Sequence, residues 1–151
     1  MSEQPPYRLH DSVLYQLTVT TRQQERRLEE RLRGLGLTRL TWCVLLAVNN
    51  EGLRQPSEIA GFIGIDRPST SRALRQMEAA GWVARRDGTP DRRTRSVELT
   101  PAGVELLHAA TPLAMENSRH FLSKLAPGEA ETLARLLEKL RAGETRALDR
   151  F

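Results

Sequence analysis

Between residues 66 and 95, eight arginines (67, 72, 75, 85, 86, 92, 93 and 95) stand against four acids, Asp66, Glu78, Asp87 and Asp91. The rest of the chain carries as many acidic as basic side chains, so this short stretch holds the whole net charge of +4. Hydroxyls are interleaved with the arginines at Ser69, Thr70 and Ser71. Guanidinium groups bind phosphate and can take guanine O6 and N7 as a fork, while hydroxyls and helix N-terminal amides suit phosphate oxygens. The chemistry implied is recognition of a polyanion. The major groove of duplex DNA, which admits one α-helix, is the shape that fits it.

The elements that must position these groups follow from local pattern. Asp66 is a natural N-cap, Pro68 suits a first helical turn, and Gly81 marks the end of a helix over 67–80. On that helix Thr70, Ala73, Leu74 and Met77 form an inner stripe, leaving Arg67, Pro68, Ser69, Ser71, Arg72 and Arg75 on the DNA side. A preceding helix opens at Pro56 and closes at the tight turn of Gly64. Two alternating segments, 82–86 and 95–99, flank the turn residues Asp87-Gly88-Thr89-Pro90-Asp91 and predict a β-hairpin. Its tip carries Arg92, Arg93 and Arg95, which could enter a minor groove, with Asp91 holding a neighbouring arginine or the hairpin backbone in shape.

Around this module lie longer helices. A helix from about Arg8 carries Leu9, Val13, Leu14, Leu17, Leu28 and Leu32 at helical spacing, and pairs such as Arg22–Glu25, Arg26–Glu29 and Arg26–Glu30 can meet on its surface. Thr38 or Thr41 caps a second helix that is apolar almost all round and belongs at the centre. Thr100-Pro101 opens a fifth helix, which Pro112 should kink and Pro127-Gly128 should end. A sixth, leucine-rich helix follows. The terminal helices carry more apolar surface than one small module can cover, which points to a second copy of the chain.

The residues PSEIAGFIGIDRPSTSRALRQMEAAGWVARR resemble the helix-turn-helix of the MarR family of bacterial transcription regulators. DRRTRSVELTPAG is similar to that family's wing pattern through Asp91, Arg93, Leu99, Thr100 and Gly103. The resemblance implies a mainly α fold with a small β-hairpin wing. It divides the chain into an N-terminal dimerisation helix (1–37), a winged helix-turn-helix (38–100) and C-terminal dimerisation helices (101–151). It further implies a homodimer on a pseudo-palindromic DNA site, with Arg93 in the minor groove, and in many members a repressor released by a small phenolic or anionic molecule. The competing readings are a regulator that occludes DNA without a ligand and a winged helix used for protein assembly.

Tyr15, Arg22, Trp42, His108 and Met115 are the residues suited to such an effector pocket, by stacking surface, charge or position. Cys43, the one cysteine, sits among apolar neighbours and reads as a structural thiol; no disulfide can form within the chain. His10, His108 and His120 have no partner at metal-ligand spacing, and no cofactor is expected. No nucleophile–base arrangement, glycine-rich phosphate loop or paired-carboxylate cleft is present, so an enzyme is not expected. The N-terminal residues lack a signal-peptide pattern and no apolar run reaches membrane-spanning length, which gives a cytoplasmic, non-membrane expectation.

Overall fold

The computed structural model describes residues 5–87 and 95–144 of the chain, the side chains of Asp87 and Arg95 excepted. Six α-helices and one hairpin follow in order: α1 Val13–Leu32, α2 Arg39–Asn49, α3 Pro56–Ile63, α4 Arg67–Ala79, β1 Val83–Asp87, β2 Arg95–Leu99, α5 Pro101–Leu122 and α6 Glu129–Arg141. Antiparallel pairing runs from Val83 opposite Leu99 to Asp87 opposite Arg95. The fold is therefore mainly helical with a two-stranded wing, and the N- and C-terminal helices α1 and α5 pack on one another.

The helix ends are set by local chemistry. The Thr38 hydroxyl accepts the Thr41 amide at 3.1 Å and the Thr41 hydroxyl accepts the Thr38 amide at 2.9 Å, a reciprocal box that starts α2. Helix α3 ends at Gly64, which has φ 76°, and the Ile65 amide donates back to the Ala60 carbonyl at 3.1 Å. Helix α1 begins later than the apolar spacing predicts. Leu9–Asp11 forms a 3₁₀ turn, and Ser12, in extended conformation, caps the true helix at Val13. Helix α5 continues through Pro112 and stops at Leu122, short of Pro127.

One core serves most of these elements. Leu28 and Leu32 of α1, Val44, Leu45 and Val48 of α2, Ile59 of α3, Leu74 and Met77 of α4, Val83 and Val97 of the wing, and Leu107 and Ala110 of α5 are all buried together. Burial at about 25 cal/mol per Å² makes this cluster the main stabilising contribution. The central position expected for α2 is confirmed by five buried residues in eleven. Two polar ties reinforce the frame. Arg31 holds Glu116 in a bidentate pair, Nη2 to Oε1 at 2.6 Å, joining α1 to α5. Glu29 accepts the Arg39 amide at 2.9 Å and Glu25 meets Arg39 Nε at 3.2 Å, joining α1 to α2. Of the pairs expected within α1, Arg26–Glu30 forms at 3.1 Å, but Glu25 and Glu29 turn to Arg39 instead, because the α2 N-terminus offers a cation and an unpaired amide together.

The base of the wing closes on α5. The Thr100 amide donates to the Trp82 carbonyl at 3.1 Å, and the Thr100 hydroxyl donates to the Gly81 carbonyl at 2.6 Å while accepting the Gly103 amide at 3.1 Å. A Cβ on Gly103 would overlap the Trp82 carbonyl oxygen. Gly103→Ala therefore forces the wing from α5. The expected cost is about 1–3 kcal/mol, or roughly 2–4 °C of melting temperature per kcal/mol for a chain of this size. Thermal denaturation followed by circular dichroism checks it, and an unchanged midpoint would contradict the close approach.

Candidate nucleic-acid interface

Helix α4 presents one buried and one open side, as its pattern requires. Thr70, Ala73, Leu74 and Met77 are buried, and Arg67, Pro68, Arg72 and Arg75 are exposed, with Ser69 and Ser71 half-buried beside them. Arg67, Pro68, Ser69, Ser71 and Arg72 rise from the N-terminal half of the helix, where free amides and the helix dipole favour phosphate, and Arg75 lies further along it. The helix is fixed at both ends. Asp66 Oδ1 accepts the Ser69 amide at 2.7 Å, and at the other end the Trp82 amide donates to the Met77 carbonyl at 2.9 Å past Gly81, whose φ is 76°.

The hydrogen bonds from Ser69 hold the Asp66 carboxyl below the usual carboxylate range, against a smaller opposing effect of desolvation. Asp66 Oδ2 also accepts the Ser69 hydroxyl at 2.8 Å, and that hydroxyl accepts Arg72 Nη2 at 2.9 Å. The caps satisfy both carboxylate oxygens, so the acid at the N-terminal end of this face is already engaged with its own helix.

The basic stretch is not uniformly available to a ligand. Arg85 Nε lies 3.4 Å from Glu78, and Arg86 Nε lies 2.9 Å from Glu98. These two guanidinium groups brace the wing against α4 and across its own strands. Asp91, Arg92 and Arg93 lie outside the described residues. Arg95 begins β2 opposite Asp87, and its side chain is also outside them. Arg54 was not anticipated. Its carbonyl accepts the Val97 amide at 2.8 Å and its Nη1 reaches the Val97 carbonyl at 3.4 Å, so it covers the free edge of β2. The extended backbone that Pro56 favours at Gln55 (φ −92°, ψ 135°) is the signal that could have indicated it.

Among the five residues suited to an effector pocket, Trp42 lines a cavity of about 330 Å³ between α1, α2 and α5, together with Gln24, Leu28, Ala114, Asn117 and Phe121. Tyr15 instead meets His10 edge to face at 5.1 Å, and Arg22, His108 and Met115 are exposed and off this cavity wall. Asn117 and Gln24 were not singled out by sequence; Asn117 Nδ2 donates to the Gln24 carbonyl at 3.2 Å. Trp42 Nε1 and Asn117 Oδ1 are buried with no hydrogen-bond partner among the described residues. Cys43 is half-buried, and burial pushes its thiol up, with Arg39 pulling the other way. Among the described residues no cluster of three or more His, Cys, Asp or Glu could hold a metal ion, and no helix is long and apolar enough to cross a membrane.

A short helix buried on one side at Ile59 and Ala60, a tight turn, an exposed arginine-bearing helix and a braced hairpin define a winged helix-turn-helix. The sequence pattern of the MarR family matches residues 35–94. The transcriptional repressor MprA of Escherichia coli K12 is 30% identical over 141 residues, spanning 87% of this chain and 80% of that protein. The fold is similar to that of an Escherichia coli MarR variant complexed with operator DNA, with a TM-score of 0.76, 25% identity, and 82% and 89% of the two chains covered. It is also similar to Bordetella bronchiseptica BpsR, whose DNA binding is regulated by 6-hydroxynicotinic acid, with a TM-score of 0.85 at 22% identity, covering 93% of this chain and all of that one. The chain belongs to the MarR family of winged-helix, DNA-binding transcription regulators and is not an enzyme.

Asp66 gives this interface a pH signature. Its folded pKa is depressed, so its stabilising contribution is complete above the unfolded value of about 3.9 and is lost as pH falls through the lower folded value. Asp66→Ala should melt below the native chain at pH 7. The gap between the two midpoints should close as pH drops below about 4. A gap independent of pH would show that the carboxylate charge is not what caps α4.

Proposed function

We propose that the protein is a homodimeric repressor that places two copies of α4 in successive major grooves of a pseudo-palindromic operator and leaves it when a small molecule fills the α1–α2–α5 cavity. The observation that carries this reading is the open face of α4, with three exposed arginines and two serines on a helix fixed at both ends. Arg92, Arg93 and Arg95 would enter the adjacent minor groove, with Asp91 shaping the wing. A gene-regulatory role fits a cytoplasmic location.

Dimerisation is supported by surface that the single chain leaves bare. Helix α6 has no buried residue, and Leu133, Leu136 and Leu140 are exposed on it. At the other end Tyr7, Leu9, Val13 and Leu14 are at least half exposed. Apolar area on this scale marks an interface. In a twofold arrangement the two copies of α4 would stand roughly 34 Å apart, one turn of DNA. The domain division follows: residues 1–37 and 101–151 dimerise and 38–100 bind DNA.

An effector is supported by the cavity itself, whose size suits a small aromatic molecule and whose wall includes Trp42 and Phe121. BpsR, a structural relative, responds to a compound of that kind.

If six to ten phosphates are contacted, affinity should fall by roughly 10³–10⁵ between 50 and 200 mM salt. Arg72→Ala and Arg93→Ala should each cost about 1–3 kcal/mol if they read bases. Fluorescence anisotropy on labelled duplexes measures both. Salt-independent binding, or full affinity in both variants, would indicate a protein-assembly module instead. Release by small aromatic acids and phenols should be seen in gel-shift titration. Ala114→Phe, which fills the cavity, should keep DNA binding and lose that release. Persistence of release in this variant would place the effector elsewhere, and no release of the native protein by any compound would favour ligand-independent occlusion.

A further inference from the structure

The three exposed arginines of α4 differ in one respect. Among the described residues, Arg67 and Arg75 have no polar side-chain partner, whereas Arg72 Nη2 donates to Ser69 Oγ at 2.9 Å. That hydroxyl is itself oriented. Its proton goes to Asp66 Oδ2 at 2.8 Å, which leaves its lone pairs for Arg72. Asp66 is fixed in turn, because its other oxygen accepts the Ser69 amide at 2.7 Å. The chain carboxylate–hydroxyl–guanidinium therefore runs in one direction, anchored on the helix cap. It draws Arg72 back over the preceding turn, so that its guanidinium sits beside the N-terminal turn of α4. That end of a recognition helix is the part that meets base edges.

We propose that Asp66 and Ser69 are positioning residues that hold Arg72 as the base-reading arginine of α4, leaving Arg67 and Arg75 to grip phosphate. This rests on the reading of α4 as the recognition helix. The physical reason is entropy. A free arginine must give up its rotamer freedom to form a two-point fork on guanine, while a phosphate accepts a guanidinium from many directions. A tether on one N–H of Nη2 removes much of that loss in advance, and the second N–H of Nη2 together with its neighbouring donor still offers a two-point edge for the fork. Pre-organisation of one long side chain is worth roughly two- to tenfold in affinity, and the gain falls on the base being read.

The test is selection of preferred sites by the full-length protein from a randomised duplex library, followed by anisotropy on the selected duplex and its single-base-pair variants. Arg72→Ala should erase preference at one position per half-site. Ser69→Ala, which keeps the cap on the residue 69 amide, should lower discrimination at that same position by roughly two- to tenfold. Ser69→Thr, which keeps the hydroxyl, should restore it. Arg75→Ala should lower affinity for all duplexes alike. Circular dichroism melts report whether each variant is folded.

Three results would overturn the assignment while leaving α4 as the recognition helix. Ser69→Ala could weaken all duplexes equally with discrimination intact, which makes the serine a phosphate contact. It could bind more tightly, which makes the tether a restraint that keeps Arg72 from DNA. Or Ser69→Ala could match the native protein. If Arg72→Ala itself leaves both affinity and preference unchanged, the underlying reading of α4 fails.

Discussion

The Trp82 backbone is the joint on which the molecule turns. Its amide closes the end of α4 on the Met77 carbonyl, and its own carbonyl accepts the Thr100 amide just where α5 begins. The absence of a side chain on Gly103 lets α5 come against that same carbonyl. Within a few residues the arginine-bearing helix, the wing and the longest helix of the chain share one set of hydrogen bonds. A packed joint of this kind transmits movement, because interiors packed to crystal density resist continuous deformation. A tilt of α5 would carry the wing base and the end of α4 with it.

The same geometry bears on the proposed effector cavity. Its wall is built from α1, α2 and α5, and the same α5 continues from Ala114 and Asn117 back to Gly103. The Arg31–Glu116 pair ties α1 to α5 beside it. A ligand that wedged these helices apart would act on α5, which meets the wing base, and on α2, which packs directly against α3, α4 and β2. No residue of α4 has to touch it. Free energy for such a shift comes only from differential affinity for the two arrangements. The exposed leucines of α6 and the bare N-terminal end of α1 fit the same scheme, since a dimer that buries them fixes the distance between two recognition helices.

Much of this was legible in the residues because it is local. Asp66, Thr100 and Thr38 announce helix starts, Gly64 and Gly81 announce ends, and the inner stripe of α4 follows from spacing alone. What the sequence hid depends on who meets whom across the fold. Glu25 and Glu29 each have an arginine three residues away on α1, Arg22 and Arg26, yet they choose Arg39, which only tertiary packing brings near. Arg85 and Arg86 look like part of a uniform basic patch until Glu78 and Glu98 are seen beside them. Gly103 reads as one letter of a family pattern, and its steric reason appears only with the Trp82 carbonyl in place. The pocket residues were hardest to read. Trp42 lines the cavity, but Asn117 and Gln24 carry no local mark of a wall that three separate helices build.

The measurement that bears most directly on this account is the symmetry and spacing of the DNA site selected by the full-length protein, read together with hydroxyl-radical footprinting. A twofold dimer on DNA should select an inverted repeat, protected in two patches whose centres lie about one helical turn apart, roughly 10 base pairs. A single unrepeated half-site with one protected patch, or no enriched sequence, would contradict it.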